Sequence, residues 1–236
     1  MKNIVVLTGA GMSAESGIAT FRDSGGLWAQ HRVEDVATPE GFRRNPQLVL
    51  DFYNKRRRES LSAKPNDGHL GLAEMEKEYN VRIITQNVDN LHEKAGSSSV
   101  IHLHGELMKA RSSINPDKIY LLDPNNPDIK VGDMCEDGSP LRPHIVWFGE
   151  AVPMMGIAEE IVRKADALVI IGTSLNVYPA AGLINYVQAG TPIYIIDPNE
   201  VVVSRGKINF IRKGASEGVA ELRRLLRDEF SKDAEM

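Results

Sequence analysis

Residues 2–23 read KNIVVLTGAGMSAESGIATFRD, and this stretch decides how the chain folds. The apolar run at positions 4–7 predicts a buried parallel strand, and Gly9, Ala10 and Gly11 end it sharply. Gly9-x-Gly11-x-x-Ala14 has the spacing of a dinucleotide-binding turn, in which bare backbone lies beside a pyrophosphate. Glycines after a strand often serve only to reverse the chain, so the spacing alone leaves that structural interpretation open.

The segment after this turn argues against a hydride-transferring dehydrogenase. Such an enzyme needs a helix and then a second apolar strand that ends in an acid about 20 residues later. Positions 20–26 instead read TFRDSGG, which is polar and glycine-rich, and no strand pattern follows. We therefore expect a long loop that covers a bound nucleotide.

The composition is that of an ordinary globular protein. The 236 residues are 42% hydrophobic and 25% charged, and the net charge of −4 gives no reason to expect a nucleic-acid or membrane partner. No run of 18 apolar residues occurs, and the chain enters its first predicted strand without a signal peptide, so we expect a cytoplasmic protein. The single Cys135 excludes an internal disulfide and a zinc site of two or four cysteines from one chain.

Alternating helix and strand patterns predict an α/β fold with a parallel sheet. Further buried strands are predicted at positions 81–85, 100–103, 144–150, 167–171 and 192–197, and helices at 46–62, 69–78, 154–164, 180–189 and 216–230. Residues 106–144 hold five of the twelve prolines and show weak periodicity, which indicates an inserted lobe.

Polar residues follow the ends of these predicted strands, where open α/β sheets bind ligands. They are Gln86, Asn87, Asp89, His104, Gly172, Thr173, Ser174 and Asp197. A histidine at this edge suits general-base catalysis near neutral pH, and amide or carboxylate groups can bind a carboxamide or a sugar hydroxyl. His102 alternates with His104 on the same segment, and the pattern does not choose between them.

The predicted helix 46–62 carries a second candidate group. Tyr53 and Arg56 are three residues apart, so both project from one side and can meet a ligand carboxylate together. A tyrosine packed at a helix edge beside a surface arginine is the structural alternative. The neighbouring Arg57 and Arg58 are interpreted as a solvated face.

Five ordered motifs resemble the signature set of the sirtuins, the NAD-dependent protein lysine deacylases. They are GAGMSAESGIATFRD, TQNVDNLHEKAG, HLHGEL, VWFGE and GTSLNVYPAAG, and they span almost the whole chain. The resemblance implies a Rossmann-like parallel-sheet domain from residues 1–35, 72–105 and 145–236. It also implies a smaller domain from two insertions, a helical module at 36–71 and a lobe at 106–144.

Carried over position by position, the resemblance makes His104 the general base and Asn87 a second catalytic residue. The NAD-binding residues that it implies are Gly9, Ala10, Gly11, Ser13, Phe21, Arg22, Gln86, Asn87, Asp89, Gly172, Thr173, Ser174, Asp197, Asn199 and Ala215. The residues implied to bind the acyl-lysine peptide are Tyr53, Arg56, Val146, Phe148, Gly149 and Val177. In the implied reaction the acyl oxygen attacks the nicotinamide ribose and His104 removes a ribose hydroxyl proton. NAD is consumed, and nicotinamide, O-acyl-ADP-ribose and free lysine result.

Two features depart from the commonest sirtuin pattern. Tyr53 and Arg56 resemble the pair of sirtuins that accept acidic acyl groups, so we expect removal of succinyl and malonyl as well as acetyl groups. The four zinc cysteines of the family are missing: Ser112 and Ser113 stand where the first pair begins, and only Cys135 lies near the second. We therefore expect no zinc, and a lobe held by packing of Ile119, Tyr120, Leu121, Leu122 and Ile129.

Other functions that use the same NAD site stay open. An ADP-ribosyltransferase or NAD glycohydrolase would release nicotinamide without an acyl-lysine substrate. A non-catalytic NAD or ADP-ribose sensor would bind nucleotide without turnover. For the deacylase we expect acyl-lysine side chains of proteins as partners, no nucleic acid or membrane, and a monomeric state.

Overall fold

The computed structural model describes residues 1–20, 30–203 and 208–231. This part of the chain forms nine strands: β1 (Asn3–Thr8), β2 (Asn80–Thr85), β3 (Val100–His102), β4 (Gly105–Ser112), β5 (Ile119–Leu121), β6 (Leu141–Ile145), β7 (Ala167–Ile171), β8 (Ile193–Ile196) and β9 (Ile208–Ile211). Six of them form one parallel sheet in the order β3-β2-β1-β7-β8-β9. The predicted α/β class with a parallel sheet is therefore confirmed, although strand β9 was not predicted.

The helices of the described residues flank this sheet or connect its strands. They are α1 (Gly11–Ala14), α2 (Val33–Val36), α3 (Pro39–Arg44), α4 (Pro46–Ser62), α5 (Asp67–Met75), α6 (Leu91–Lys94), α7 (Met155–Arg163) and α8 (Ala215–Ser231), with a 3₁₀ helix at Ala180–Tyr186. Helix α4 begins where the sequence predicts, because Asn45 caps it by accepting from the Leu48 N–H and Pro46 occupies its first turn. No helix in these parts of the chain is long and apolar enough to cross a membrane.

Strand β1 is the buried centre of the sheet. Ile4 and Val6 face a core that contains α5 and α8, whereas Val5 and Leu7 face a core that contains α7 and the 3₁₀ helix. Because successive side chains of a strand point to opposite faces, a continuous apolar run is what a sheet covered on both sides requires.

A second, antiparallel sheet in the order β5-β4-β6 packs with helices α2–α4. The strand predicted at 144–150 is wrong beyond Ile145, since β6 ends there and pairs with β4. The chain then turns: the Trp147 N–H donates to Glu150 Oε2 at 2.8 Å, and the Phe148 N–H donates to the Ala37 carbonyl at 3.0 Å. Ile145 and Trp147 of this apolar segment pack against helices α2 and α4. The domain boundaries at 35/36, 71/72, 105/106 and 144/145 stay a prediction.

The packing expected for the inserted lobe is only partly right. Ile129 is buried and Leu122 packs beside it. Ile119 and Leu121 are 46% and 79% exposed, because β5 is the edge strand of the antiparallel sheet. Ser112, which stands where the first pair of zinc cysteines of the family would begin, donates a hydrogen bond to Asp137 Oδ2 at 3.0 Å.

Candidate active site

A cavity of about 790 Å³ lies at the carboxyl ends of the parallel strands and extends between them and the antiparallel sheet. Every predicted site residue in the described part of the chain lines it: Gly9, Ala10, Gly11, Ser13, Tyr53, Arg56, Gln86, Asn87, Asp89, His104, Val146, Phe148, Gly149, Gly172, Thr173, Ser174, Val177, Asp197, Asn199 and Ala215. The predicted Phe21 and Arg22 lie outside the described residues. Strand ends meet at one edge of a parallel sheet, which is why residues so far apart in sequence converge here.

Three glycines bring two loops of this cavity into contact. The Gly9 N–H donates to the Ile171 carbonyl at 3.0 Å, and the Gly11 N–H donates to the Gly172 carbonyl at 2.9 Å. Gly172 has a φ of +62°, and a Cβ at this position would lie 2.4 Å from the Met12 nitrogen. The glycines are thus required by the close approach of the loops, which leaves bare backbone facing the cavity, the kind of surface that suits a pyrophosphate.

A buried hydrogen-bond network fixes the polar side chains after β2. Asn87 Nδ2 donates to Ser13 Oγ at 3.1 Å, and Ser13 Oγ donates to Asp89 Oδ2 at 3.0 Å. The Leu91 N–H donates to Asp89 Oδ1 at 3.1 Å. Burial raises the pKa of Asp89, although the hydrogen bonds that Asp89 accepts from Leu91 and Ser13 oppose the shift. The network holds the amide and the carboxylate in place before any ligand binds.

The environment of His104 suits a neutral base. Its Nδ1 lies 3.0 Å from the Gln86 carbonyl, which can only accept, so Nδ1 carries the proton and Nε2 keeps its lone pair. Burial lowers the pKa of His104, and the hydrogen bond to Gln86 partly opposes the shift. The imidazole is therefore neutral at physiological pH and can take up a proton.

His102 lies in a different environment and does not line the cavity. Its Nδ1 is 3.0 Å from the Asn87 carbonyl and its Nε2 is 2.8 Å from Glu93 Oε1. Because both partners are acceptors, they favour a ring with a proton on each nitrogen. Burial acts to lower the pKa of His102, but the hydrogen bond and charge of Glu93 outweigh it, and the pKa is raised. The structure thus separates two histidines that the sequence pattern left equivalent.

Tyr53 and Arg56 both face the cavity from one side of α4. Tyr53 is buried and accepts a hydrogen bond from Trp147 Nε1 at 3.0 Å. Burial raises the pKa of Tyr53 to about 12, against the opposing charge of Arg56, so the phenol stays protonated. Burial also lowers the pKa of Arg56, which Tyr53 and Asp89 oppose. A phenol and a guanidinium side by side can together donate to a carboxylate.

The two following arginines have different surroundings from this pair. The solvated face predicted for Arg57 is wrong: its side chain is fully buried and donates to the carbonyls of Leu107 and Pro127 and to Asn54 Oδ1. The antiparallel sheet covers that side of the helix, which the sequence pattern did not reveal. Arg58 is half exposed and pairs with Asp128.

The sequence did not single out Trp147 as a site residue, although the motif VWFGE contains it. It lines the cavity, yet it is only 2% exposed and its partner Tyr53 lies 94 positions earlier in the chain. Its place in an apolar run indicated a strand core, and no local signal could have revealed the contact. Within residues 1–20, 30–203 and 208–231, no group of three or more histidine, cysteine or acidic residues is placed to hold a metal ion.

The chain is similar to known proteins in sequence and in fold. The family model described as Sir2 family matches residues 9–179. A protein of Bacteroides thetaiotaomicron named NAD-dependent protein deacylase is 61% identical over 230 residues, which cover 96% of this chain and 98% of the relative. A solved Sir2 homologue in complex with NAD is 40% identical, with a TM-score of 0.86, and the match covers 97% of this chain and 90% of the other. A mutant Sir2 homologue bound to ADP-ribose is also 40% identical, with a TM-score of 0.88 and coverage of 98% and 94%.

Proposed function

The chain belongs to the Sir2 family, and from that membership we propose that it is an NAD-dependent protein lysine deacylase that removes succinyl and malonyl as well as acetyl groups. One observation carries the proposal: a single cavity is lined by the glycine-rich loops, by His104 and by the Tyr53–Arg56 pair. A nucleotide and an acylated side chain can therefore meet beside one base. We further propose a cytoplasmic monomer that acts on proteins without binding nucleic acid or membranes, which the net charge of −4 supports.

The cavity residues fit NAD by their chemistry. The bare backbone of the loops at Gly9–Gly11 and Gly172 suits the pyrophosphate, and the buried Ser13–Asn87–Asp89 network offers an amide and a carboxylate for the nicotinamide end. The remaining residues proposed to bind NAD are Ala10, Phe21, Arg22, Gln86, Thr173, Ser174, Asp197, Asn199 and Ala215. When bound, NAD would supply the ribose carbon that the acyl oxygen attacks as nicotinamide leaves, and the ribose hydroxyl that finally carries the acyl group.

His104 is proposed as the general base. Its Nδ1 proton is held by the Gln86 carbonyl, so Nε2 is the atom that takes a proton from a ribose hydroxyl. Asn87 is proposed to act with it, because its side-chain amide is fixed by Ser13 on the same edge.

The acyl-lysine is proposed to bind where the helix α4 pair meets the turn after β6. Val146, Phe148, Gly149 and Val177 would contact the peptide, and Phe148 and Val177 are 47% and 39% exposed at the mouth of the cavity. A succinyl or malonyl carboxylate would then accept from the Tyr53 hydroxyl and the Arg56 guanidinium.

One assay tests this function against the two open alternatives. The protein is incubated with NAD and matched unmodified, acetyl-lysine and succinyl-lysine peptides, and nicotinamide release and peptide mass are measured. The proposal predicts nicotinamide release only with acylated peptides, together with the mass loss of the acyl group. Release that does not depend on acylation would indicate a glycohydrolase or ADP-ribosyltransferase, and no turnover with any peptide would indicate a nucleotide sensor.

A further inference from the structure

We propose that Trp147 is a specificity-determining residue for acidic acyl groups, because its indole N–H fixes the Tyr53 hydroxyl as a hydrogen-bond donor toward the cavity. This inference rests on the proposed function, and in it Trp147 acts on the acyl group through the side chain of Tyr53. It starts from the 3.0 Å contact between Trp147 Nε1 and the Tyr53 hydroxyl.

The direction of this hydrogen bond is fixed by chemistry. An indole nitrogen can only donate, whereas a phenol hydroxyl has one proton and can also accept. Trp147 therefore occupies an acceptor position of Tyr53 and leaves the Tyr53 proton for another partner. Across residues 1–20, 30–203 and 208–231, the Tyr53 hydroxyl donates to no acceptor, although Tyr53 lines the cavity. The proton is thus available to a ligand.

The indole itself is held from three directions. The Arg142 guanidinium lies 3.4 Å from the centre of the Trp147 ring, and the Phe42 ring lies at 5.3 Å. The Trp147 backbone N–H donates to Glu150 Oε2 at 2.8 Å, and Arg142 Nη1 donates to the other oxygen of that carboxylate at 2.7 Å. A ring held by stacking and by its own backbone cannot turn away easily, so the N–H keeps its aim at Tyr53.

This arrangement matters for acidic acyl groups and not for acetyl. A carboxylate accepts hydrogen bonds, and the buried phenol keeps its proton because burial raises the pKa of Tyr53 to about 12. The methyl end of an acetyl group has no acceptor. A Tyr53 hydroxyl free to rotate could also donate to other groups, and the indole N–H removes that freedom. Trp147 is therefore expected to raise selectivity for succinyl-lysine over acetyl-lysine.

The test is a double-mutant cycle on the ratio of kcat/KM for succinyl-lysine and acetyl-lysine peptides. Trp147→Phe, which keeps an aromatic ring without the N–H, should lower this ratio about fivefold, in the range of one neutral hydrogen bond. In a Tyr53→Phe background, the same change should leave the ratio unchanged within about twofold. Equal effects of Trp147→Phe in both backgrounds, or no effect in either, would overturn the inference.

A second variant guards against loss of packing at this buried position. Replacing Trp147 by 3-benzothienylalanine keeps the shape of the ring and exchanges the N–H for sulfur. The ratio should fall as with Trp147→Phe, and an unchanged ratio would overturn the inference even if Trp147→Phe does not fold. Arg56→Met distinguishes a failure of the proposed specificity for acidic acyl groups from a failure of the role of Trp147. An unchanged ratio in Arg56→Met would contradict the proposed specificity for acidic acyl groups. A ratio that falls in Arg56→Met but in neither Trp147 variant would contradict only the role of Trp147.

Discussion

Three consecutive arginines on helix α4 allow one sharp test of acyl recognition. Arg56 lines the cavity, and Arg58 is half exposed beside Asp128. Arg57 is buried and donates hydrogen bonds to backbone carbonyls of the lobe at 106–144. Replacing Arg56 by methionine keeps a flexible side chain of similar length and removes the charge and the donors. We expect Arg56→Met to reduce desuccinylation far more than deacetylation.

The magnitude follows from the bonds that a guanidinium can make to a carboxylate. A hydrogen bond to a charged group contributes about 1.5–3 kcal/mol, so a two-fold contact contributes about 3–6 kcal/mol. Arg56 is only half-buried, and solvent screening favours the lower end of that range. At about 1.4 kcal/mol for each factor of ten, kcat/KM for a succinyl-lysine peptide should fall roughly a hundredfold. The acetyl-lysine value should change less than about fivefold, since acetyl offers no carboxylate.

The assay measures kcat/KM for matched peptides by nicotinamide release, with thermal unfolding as a check of the fold. Arg58→Met is the matched control, and both rates should stay within about twofold of wild type because an exposed ion pair contributes little. Arg57→Met should instead destabilise the protein by about 2–4 kcal/mol, because it leaves buried acceptors unpaired. Equal losses of both activities in Arg56→Met would refute a role of Arg56 in acyl recognition.

Three further predictions concern the base, its neighbour and the loop glycines. Burial lowers the pKa of His104 below 6.5, so in a pH–rate profile kcat/KM should fall with decreasing pH and its midpoint should lie below 6.5. A midpoint above 6.5 would contradict a neutral base at this position. The pKa of His102 is higher in the folded protein than the ordinary 6.5, because Glu93 favours the protonated ring. Protonated His102 therefore stabilises the fold below about pH 6.5, and this stabilisation is lost as the pH rises through the pKa of His102 in the folded protein. In urea unfolding, the unfolding free energy of wild type should therefore exceed that of His102→Gln by more at about pH 6 than at about pH 9, and a difference that grows with pH would rule this out. Gly172→Ala should cost about 2–4 kcal/mol of unfolding free energy. Gly190→Ala should cost only about 1 kcal/mol, because Gly190 has a φ of +88° but no described atom would lie within 4 Å of its Cβ. Similar losses of the two variants in thermal unfolding would exclude loop contact as the cause.

The parallel sheet and its ligand-binding edge could be predicted from local patterns. Buried strands of such a sheet are apolar on both faces, and the positions 4–7 and 167–171 show this without any knowledge of their neighbours. The residues after each strand then fall at one edge by the geometry of the fold alone. That is why Gly9, Asn87, His104 and Gly172 could be placed together from sequence.

The contacts between distant segments could not be predicted. Arg57 reads as a surface residue because nothing near it in sequence shows that the antiparallel sheet covers it. His102 and His104 have the same local pattern, but Glu93 raises the pKa of His102, whereas burial lowers the pKa of His104. Trp147 reads as part of a strand, since its partner on helix α4 is 94 positions away. Such pairings depend on tertiary packing, which periodicity does not encode.

The measurement that tests the central claim most directly is the amount of O-acyl-ADP-ribose formed for each lysine that is freed. If NAD and the acyl-lysine meet in one cavity beside His104, wild-type protein should form one molecule of this product per free lysine. His104→Ala should form none, while it still binds NAD in a calorimetric titration. Free lysine that appears with the unattached acid and without O-acyl-ADP-ribose, or a His104→Ala variant with wild-type turnover, would contradict the account.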